Sequence, residues 1–424
     1  MRFSTIAMLI LTLCFCVATH ADSFKETKPE KVGMSSERLE KLDTVMQGFV
    51  DREELAGLVS VIARKGKIVH YKAFGWQDIE SKTPMDKQSL FRIYSMTKPI
   101  TCAALLMLVE DGKVLLSDPV SKYLPEFKNR KVLIGELDGE IKTEPAKTEI
   151  TLMQLAMHTS GIGYSIPDNL SPTLSKQFNE IDMFNPAKPI KDAISALAEF
   201  PLLHHPGTAW RYSASIDVIA RLIEVVAEQP YGDFLEERMF GPLEMNDAGF
   251  STPEEDWDRV ATVYTIDDGN LKPAPDQGGL PLERYYKIGV QHAGGHGLMT
   301  TAMDYARFAQ MLLDGGELEG ARVLGPKSIE LMSTNLIRDE INHTPWHNDK
   351  ESGFGLGVSV KKDHAYSSTL QSLGTYGWSG YASTMFFIDP EEDLVAVIMS
   401  QHVPTNPNQS WQYYTNAVYQ AIVK

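Results

Sequence analysis

The length, composition and charge of the chain already exclude several classes of protein. It has 424 residues, of which 43% are hydrophobic and 23% are charged. These values are typical of a folded protein with one large core or two smaller ones, not of a disordered chain. Its 40 basic and 56 acidic side chains give a formal net charge of −16. Because that charge repels nucleic-acid phosphates and anionic lipid surfaces, we expect no nucleic-acid partner.

The first 21 residues have the three-part layout of a secretory signal peptide. A single cation, Arg2, is followed by an apolar stretch over residues 6–17 and then by a short segment that ends at Ala21. The apolar stretch is shorter than the roughly 20 residues that span a bilayer. We therefore expect cleavage after Ala21, a periplasmic or secreted location, and no membrane span in the mature chain. An uncleaved membrane anchor is the alternative. Cleavage would leave Cys102 as the one cysteine, with no internal disulfide.

Hydrophobic periodicity predicts a helix and several strands at the two ends of the chain. Apolar residues recur every three or four positions over 36–50, which predicts a helix. Two β-branched and apolar runs, 58–64 and 68–74, flank Lys65-Gly66-Lys67 and predict a β-hairpin. Three further strands are predicted near the C terminus, at 354–360, 384–388 and 394–400.

The middle of the chain has a different pattern. Between about 100 and 285 the periodic segments are helical and are separated by loops that contain proline and glycine. These segments are 101–108, 152–157, 190–197 and 216–227. We therefore predict an α/β fold in which residues 22–115 and 286–424 form a discontinuous domain with an antiparallel sheet flanked by helices. Residues 116–285 would form an inserted, mostly helical domain.

One of two Ser-x-x-Lys motifs has the spacing for nucleophilic catalysis. A serine becomes a good nucleophile only when a base takes its proton, and the usual Gly-x-Ser-x-Gly motif is absent. The motif from Ser359 to Lys362 lies in a strand-like run, where residues three apart point to opposite faces. The motif Ser95-Met96-Thr97-Lys98 instead begins an apolar helical stretch, where residues three apart share a face.

The predicted position of Ser95 at a helix start also suits this chemistry. The first N–H groups of a helix and its positive dipole end stabilise a developing oxyanion. Burial disfavours a charged ammonium, so a buried Lys98 could accept a proton. The alternative is that Ser95 only caps the helix and that Lys98 is solvated, because so short a motif also occurs by chance.

The surroundings of Ser95 resemble those of a known group of serine enzymes. The segment Phe91-Arg92-Ile93-Tyr94-Ser95-Met96-Thr97-Lys98-Pro99 resembles the nucleophile segment of class C β-lactamases, penicillin-binding proteins and, most closely, family VIII carboxylesterases. Further landmarks follow in the same order: His158-Thr159-Ser160-Gly161, Tyr212-Ser213-Ala214, Gly294-Gly295-His296-Gly297 and Trp378-Ser379-Gly380. The resemblance runs over residues 30–424. It implies the β-lactamase/penicillin-binding-protein-like fold and a serine hydrolase that needs no cofactor.

The resemblance also implies roles for individual residues. Ser95 resembles the acylating nucleophile and Lys98 its partner, while Tyr212 resembles the tyrosine that accepts the serine proton and later activates water. The segment Trp378-Ser379-Gly380 stands where β-lactamases have Lys-Thr-Gly, on the strand that borders the site. The N–H groups of Ser95 and Tyr381 would form the oxyanion hole.

Two departures from the β-lactamase pattern favour an ester substrate. Tyr-x-Asn is replaced by Tyr212-Ser213-Ala214, which removes an amide, and the lysine of Lys-Thr-Gly is replaced by Trp378, which removes a cation. A site without that cation should not favour carboxylate substrates. We therefore predict a carboxylesterase that acts on small, short-acyl esters. The alternatives are a β-lactamase or a D-alanyl-D-alanine carboxypeptidase, and a non-catalytic binding or sensor module. The oligomeric state stays open.

The other histidine, glycine and tyrosine candidates are expected to have structural roles or to line the pocket. The histidine pairs 204/205 and 292/296 do not predict a metal site, because proline and glycine next to them prevent the helical spacing that would align ligands. Gly294-Gly295-His296-Gly297 is interpreted as a place of tight backbone packing. Tyr164 and Tyr376, which lie near the family landmarks, are candidates for pocket walls.

Overall fold

The structure describes most of the chain. The computed structural model describes residues 24–167, 169–183, 185–274, 289–338, 340–343 and 350–424. The predicted signal peptide, residues 1–21, and the predicted domain boundary between 285 and 286 lie outside these ranges. Within them, no helix is both long enough and apolar enough to cross a membrane.

Helices and strands occur at both ends of the chain, and helices dominate the middle. The α-helices are α1 (Ser36–Asp51), α2 (Thr97–Glu110), α3 (Leu152–Ala156), α4 (Pro172–Glu180), α5 (Ile190–Leu197), α6 (Ser215–Ala227), α7 (Tyr231–Leu235), α8 (Ala302–Leu313), α9 (Pro326–Met332) and α10 (Ser410–Tyr419). The strands are β1 (Gly57–Arg64), β2 (Lys67–Asp78), β3 (Thr83–Pro84), β4 (Phe91–Arg92), β5 (Lys131–Leu137), β6 (Glu140–Pro145), β7 (Ala209–Trp210), β8 (Tyr264–Asp267), β9 (Asn270–Pro273), β10 (Met299–Thr300), β11 (Glu317–Leu318), β12 (Ala321–Arg322), β13 (Asn342–His343), β14 (Ser352–Phe354), β15 (Ser359–Lys361), β16 (Tyr376–Gly380), β17 (Thr384–Asp389) and β18 (Leu394–Ser400). The helices predicted by periodicity in the middle of the chain are present as α2, α3, α5 and α6.

Eight of these strands form one antiparallel sheet that joins the two ends of the chain. Its order is β14-β15-β16-β17-β18-β1-β2-β3. The N-terminal strand β1 pairs with the C-terminal strand β18, from Leu58 opposite Ser400 to Arg64 opposite Leu394. The predicted α/β fold with an antiparallel sheet is therefore confirmed.

Helices cover both faces of this sheet. On one face, α1 and α10 pack against alternate residues of β1, Leu58 and Ile62. On the other face, α8 packs against β1, β17 and β18. Val59 and Val61 of β1 point to this face and join the main core cluster, which also contains residues of α2. Because both faces are covered, every residue of β1 is buried. Helix α2 also packs against α6, and its residues from Thr97 to Leu108 are all buried.

The run 354–360 was predicted as one strand, and that prediction is wrong. The chain turns inside the run, so that β14 and β15 form a hairpin with Phe354 opposite Ser359. Gly357 has a φ of +73°, and a Cβ atom there would lie 2.7 Å from Cys102 Sγ and 3.1 Å from the Lys98 carbonyl oxygen. The turn is buried against α2, so its residues are apolar and the pattern does not show where the chain reverses.

A second hairpin lies within the predicted helical region. Strands β5 and β6 pair on either side of Asp138 and Gly139, which both have positive φ, at 52° and 77°. Asp-Gly with this conformation is the preferred two-residue hairpin turn. Periodicity missed these strands because most of their residues are exposed or only half-buried.

Candidate active site

Ser95 lies in a tight turn directly before α2. Residues Tyr94–Met96 form one turn of 3₁₀ helix, and Tyr94 has a φ of 42°, which is uncommon for any residue but glycine. The N–H of Met96 donates to Ile93 O at 3.0 Å, and the Tyr305 hydroxyl donates to Met96 O at 2.8 Å. Because this turn continues directly into α2, where residues three apart share a face, Ser95 and Lys98 lie on the same side.

The structure brings Ser95, Lys98 and Tyr212 together. Lys98 Nζ lies 3.1 Å from Ser95 Oγ, and Tyr212 Oη lies 2.6 Å from the same Oγ. Lys98 is fully buried, whereas Ser95 and Tyr212 are half-buried. The serine oxygen is therefore within hydrogen-bond distance of two groups that could take its proton.

Two aromatic rings flank the amine of Lys98. Its Nζ lies 4.7 Å from the centre of the Tyr212 ring and 5.3 Å from the centre of the Tyr164 ring. Aromatic faces attract cations, so both rings provide favourable surroundings for this side chain. Burial raises the pKa of Tyr164 well above its usual value, with a further contribution from the charge of Asp217, so Tyr164 keeps its proton. Tyr164 thus lies beside the site, as expected of a pocket wall.

A network of buried polar side chains holds the loop that carries Tyr212. His158 Nδ1 lies 3.1 Å from Ser213 Oγ, and the His158 ring packs 4.8 Å from the Tyr212 ring. Ser215 Oγ lies 2.6 Å from both Ser213 Oγ and Ser160 Oγ. The landmark segment at 158–161 therefore supports Tyr212.

Strand β16 passes directly beside the Ser95 turn. A Cβ atom on Gly380 would lie 2.3 Å from Ile93 O, so only glycine permits this approach. The Trp378 ring lies 5.6 Å from the Tyr212 ring and 5.2 Å from the Phe354 ring. Strand β15 pairs with β16 only at Tyr376 and Gly377, so Trp378–Gly380 extend past that pairing, next to the turn.

The other predicted residues of this strand have different surroundings. Ser379 is opposite Met385, whose side chain joins the cluster around α1 and α10, so the Ser379 side chain faces away from Trp378. Tyr376 is buried in the main core. Tyr381 follows Gly380 and is 47% exposed, and its ring meets the Tyr94 ring edge-on at 5.8 Å. The backbone of Tyr381 is thus close to the Ser95 turn.

The structure also reveals one site residue that was not predicted from the sequence, Asp217, and a contact with Lys98 for Gly295. Gly295 O accepts a hydrogen bond of 2.6 Å from Lys98 Nζ, and the N–H of Gly295 donates to Asp217 Oδ1 at 2.8 Å. The glycine segment does pack tightly, as interpreted, because a Cβ atom on Gly294 would lie 2.7 Å from Ile216 O. A signal for Asp217 was present: it is an acidic residue among the apolar residues of the helix predicted over 216–227.

The histidines that the sequence analysis weighed as ligands make other contacts. His204 Nδ1 lies 2.9 Å from His205 O, and His292 Nδ1 accepts from the Gly232 N–H at 3.0 Å. Burial lowers the pKa of His204. Across the part of the chain that the structure describes, no group of three or more His, Cys, Asp or Glu side chains is arranged to hold a metal ion.

Comparisons with known proteins give the same fold and family. A family model described as β-lactamase matches residues 42–419. Protein Rv1367c of Mycobacterium tuberculosis is 36% identical over 361 residues, which cover 82% of this chain and 86% of that protein. Esterase EstB of Burkholderia gladioli is 29% identical over 379 residues, which cover 85% of this chain and 89% of EstB.

A solved structure extends the similarity to three dimensions. EstCE1, described as a hydrolase with promiscuous acyltransferase activity, superposes with a TM-score of 0.76 at 24% identity, covering 90% of this chain and 98% of EstCE1. At that identity the likeness concerns the fold alone. The family match and the esterase relative together support a serine hydrolase. The chain belongs to the β-lactamase family and has the β-lactamase/penicillin-binding-protein-like fold.

Proposed function

We propose that this protein is a carboxylesterase that hydrolyses small, uncharged, short-acyl esters through an acyl-enzyme on Ser95. One observation carries the proposal: Ser95 Oγ lies within hydrogen-bond distance of both Lys98 Nζ and Tyr212 Oη, at 3.1 and 2.6 Å. A serine so placed can lose its proton as it attacks, which is the requirement for nucleophilic catalysis.

In the proposed acylation step, Tyr212 acts as the base. The Lys98 ammonium stabilises the phenolate of Tyr212, which takes the proton from Ser95 as Oγ attacks the ester carbonyl carbon. The carbonyl oxygen becomes an oxyanion, which the N–H groups of Ser95 and Tyr381 stabilise. Tyr212 then gives the proton to the leaving alcohol as the carbon–oxygen bond breaks, and the acyl group remains on Ser95.

In the proposed deacylation step, the same tyrosine activates water. Tyr212 takes a proton from a water molecule, and the oxygen of that water attacks the acyl carbon. When the tetrahedral intermediate collapses, the proton returns to Ser95 Oγ and the carboxylic acid is released. One residue thus serves as base and then acid in both half-reactions, so the proposed reaction needs no cofactor.

The preference for an uncharged ester rests on Trp378 and on the charge of the protein. Trp378 presents a ring to the site, 5.6 Å from Tyr212, where β-lactamases have a lysine. No cation at this position would pair with a substrate carboxylate. The net charge of −16 also disfavours anionic substrates. Both features support a neutral ester over a penicillin or a peptide terminus.

A comparison of two substrates tests the proposal. We expect a higher kcat/KM for nitrophenyl butyrate than for a chromogenic cephalosporin, measured with the same preparation. Faster turnover of the cephalosporin would contradict the proposal and favour a β-lactamase. Absence of turnover and of fluorophosphonate labelling at Ser95 would favour a non-catalytic module.

A charge introduced at Trp378 tests whether this residue causes the preference for uncharged esters. Trp378→Lys is expected to raise the ratio of kcat/KM for nitrophenyl hemisuccinate to that for nitrophenyl butyrate by about tenfold, because one charge-assisted contact adds about 1–2 kcal/mol. The two substrates have acyl groups of equal length, so their ratio cancels a general loss of packing. Trp378→Phe is the control and should leave the ratio unchanged. An unchanged ratio in Trp378→Lys would show that Trp378 does not cause the preference for uncharged esters.

A further inference from the structure

We propose that Asp217 is a positioning residue of the active site, which fixes the carbonyl that binds Lys98 and keeps the amine of Lys98 in its ammonium form. The inference rests on the proposed function, since it concerns the charges that make Tyr212 the base. Asp217 lies on α6, five residues after Tyr212, and its side chain is fully buried.

Two hydrogen bonds in series connect Asp217 to Lys98 through a single glycine. Asp217 Oδ1 accepts from the N–H of Gly295 at 2.8 Å, and Gly295 O accepts from Lys98 Nζ at 2.6 Å. The first bond holds the peptide unit before Gly295, and the second, made by the peptide unit after it, holds Nζ at 3.1 Å from Ser95 Oγ. A displacement of the carboxylate would therefore move the amine.

Glycine at position 295 is required by the close approach of the carboxylate. A Cβ atom on Gly295 would lie 2.4 Å from Asp217 Oδ2 and 2.9 Å from Asp217 Cγ. The φ of Gly295 is not in the left-handed region, so conformational freedom is not the reason for the glycine. The segment is thus built to fit against this one side chain.

Lys98 is the cation that hydrogen bonds link to the buried carboxylate of Asp217, through Gly295. A buried carboxylate is strongly destabilising without a counter-charge. The basic residue of α6 itself, Arg221, pairs with Glu224 at 2.9 Å. His296 Nε2 lies 3.8 Å from Asp217 Oδ1, but burial lowers the pKa of His296, so its ring is neutral. Among the described residues, Asp217 Oδ2 accepts no hydrogen bond.

The other titratable groups around this pair are weak acids. They are Tyr164 and Tyr212 beside the amine, Tyr231 of α7 and Cys102 of α2. Burial raises the pKa values of Tyr164, Tyr231 and Cys102, so these three side chains are uncharged at neutral pH. The electrostatic balance of the site is therefore set by Asp217, Lys98 and the proton of Tyr212.

This balance predicts how pH acts on the enzyme. In the proposed mechanism, kcat/KM rises with pH as Tyr212 loses its proton and falls at higher pH as Lys98 loses its proton. A negative charge opposes both deprotonations. Removing the charge of Asp217 should therefore move both limbs of the pH profile to lower pH, whereas a purely structural defect would lower the maximum without moving the limbs.

The test is the pH dependence of kcat/KM for nitrophenyl butyrate in Asp217→Asn. The amide has the same shape and its oxygen can still accept from the Gly295 N–H. We expect both limbs to move to lower pH by roughly half a unit or more, a maximum lowered about tenfold, and a KM close to that of the wild type. Asp304→Asn is the matched control, because Asp304 is a buried aspartate of α8 that accepts from the Asp247 N–H at 2.8 Å. Its limbs should stay in place.

A second readout separates this inference from the proposed function. The rate at which a fluorophosphonate labels Ser95 depends on the same proton transfer but requires no ester turnover. If the wild type is labelled but hydrolyses no ester, the proposed function fails and the pH profile of labelling still tests Asp217.

Should Asp217→Asn fail to fold, Gly295→Ala displaces the carboxylate while both charges remain, and labelling should slow about tenfold. Unchanged limbs in Asp217→Asn, or an unchanged labelling rate in Gly295→Ala, would overturn the inference.

Discussion

Ser95→Ala is expected to lower kcat for nitrophenyl butyrate by about ten-thousand-fold or more, because the variant has no oxygen to form the acyl-enzyme. The alanine side chain is smaller and the turn is held by backbone and Tyr305 hydrogen bonds, so the fold should persist. Steady-state hydrolysis gives the rate. Intact mass after treatment with a fluorophosphonate should show a single adduct on the wild type and none on the variant.

The second Ser-x-x-Lys motif supplies the control for this experiment. Ser359 begins β15, where it is opposite Gly377, and Lys362 follows the end of that strand. Ser359→Ala should retain both turnover and labelling. If Ser95→Ala kept its activity, or if the adduct were found on another residue, Ser95 would not be the nucleophile.

Tyr212→Phe is expected to lower kcat by about a thousandfold, the size of effect that follows the loss of a general base. The change removes only Oη, which lies 2.6 Å from Ser95 Oγ. The ring should keep its contacts with His158 and Trp378, at 4.8 and 5.6 Å, so KM should change little. Measurement of kcat and KM over a range of pH would distinguish a lost base from a displaced substrate.

Another buried tyrosine provides the control for the lost hydroxyl. Tyr414 of α10 donates to Val397 O at 3.1 Å and lies on the opposite face of the sheet from the Ser95 site. Tyr414→Phe should cost about 1 kcal/mol of stability and leave kcat unchanged. Full turnover by Tyr212→Phe would transfer the role of base to Lys98, and the mechanism would have to be rewritten around a neutral amine.

Most of the fold follows from local patterns in the sequence. The helical spacing over 36–50 and the hairpin on either side of Lys65-Gly66 appear as α1, β1 and β2 with nearly the predicted bounds. The failures have a common cause. Periodicity reports burial, so it joined β14 and β15 across a buried turn, and it passed over β5 and β6, which are largely exposed.

The candidate site was predictable only in part. Ser95 and Lys98 are neighbours in sequence, so a helical turn is enough to bring them together, and Tyr212 entered through the resemblance to a family. Asp217 and Gly295 are 78 residues apart, and Gly295 and Lys98 are 197 apart. Contacts at such separations depend on how helices pack, and the hydrogen bond from Lys98 goes to a carbonyl oxygen that every residue type carries. No pattern of side chains in the sequence could have indicated that hydrogen bond.

The most direct test of the account is to identify the residue that carries the acyl group during turnover. The wild-type protein would be mixed with nitrophenyl butyrate, quenched in acid within the first turnovers, digested and mapped by mass spectrometry. We expect one butyryl group, on Ser95. Its formation should release a burst of nitrophenol before the steady state. Butyryl on a different side chain, or rapid turnover with no acylated peptide at any quench time, would contradict it.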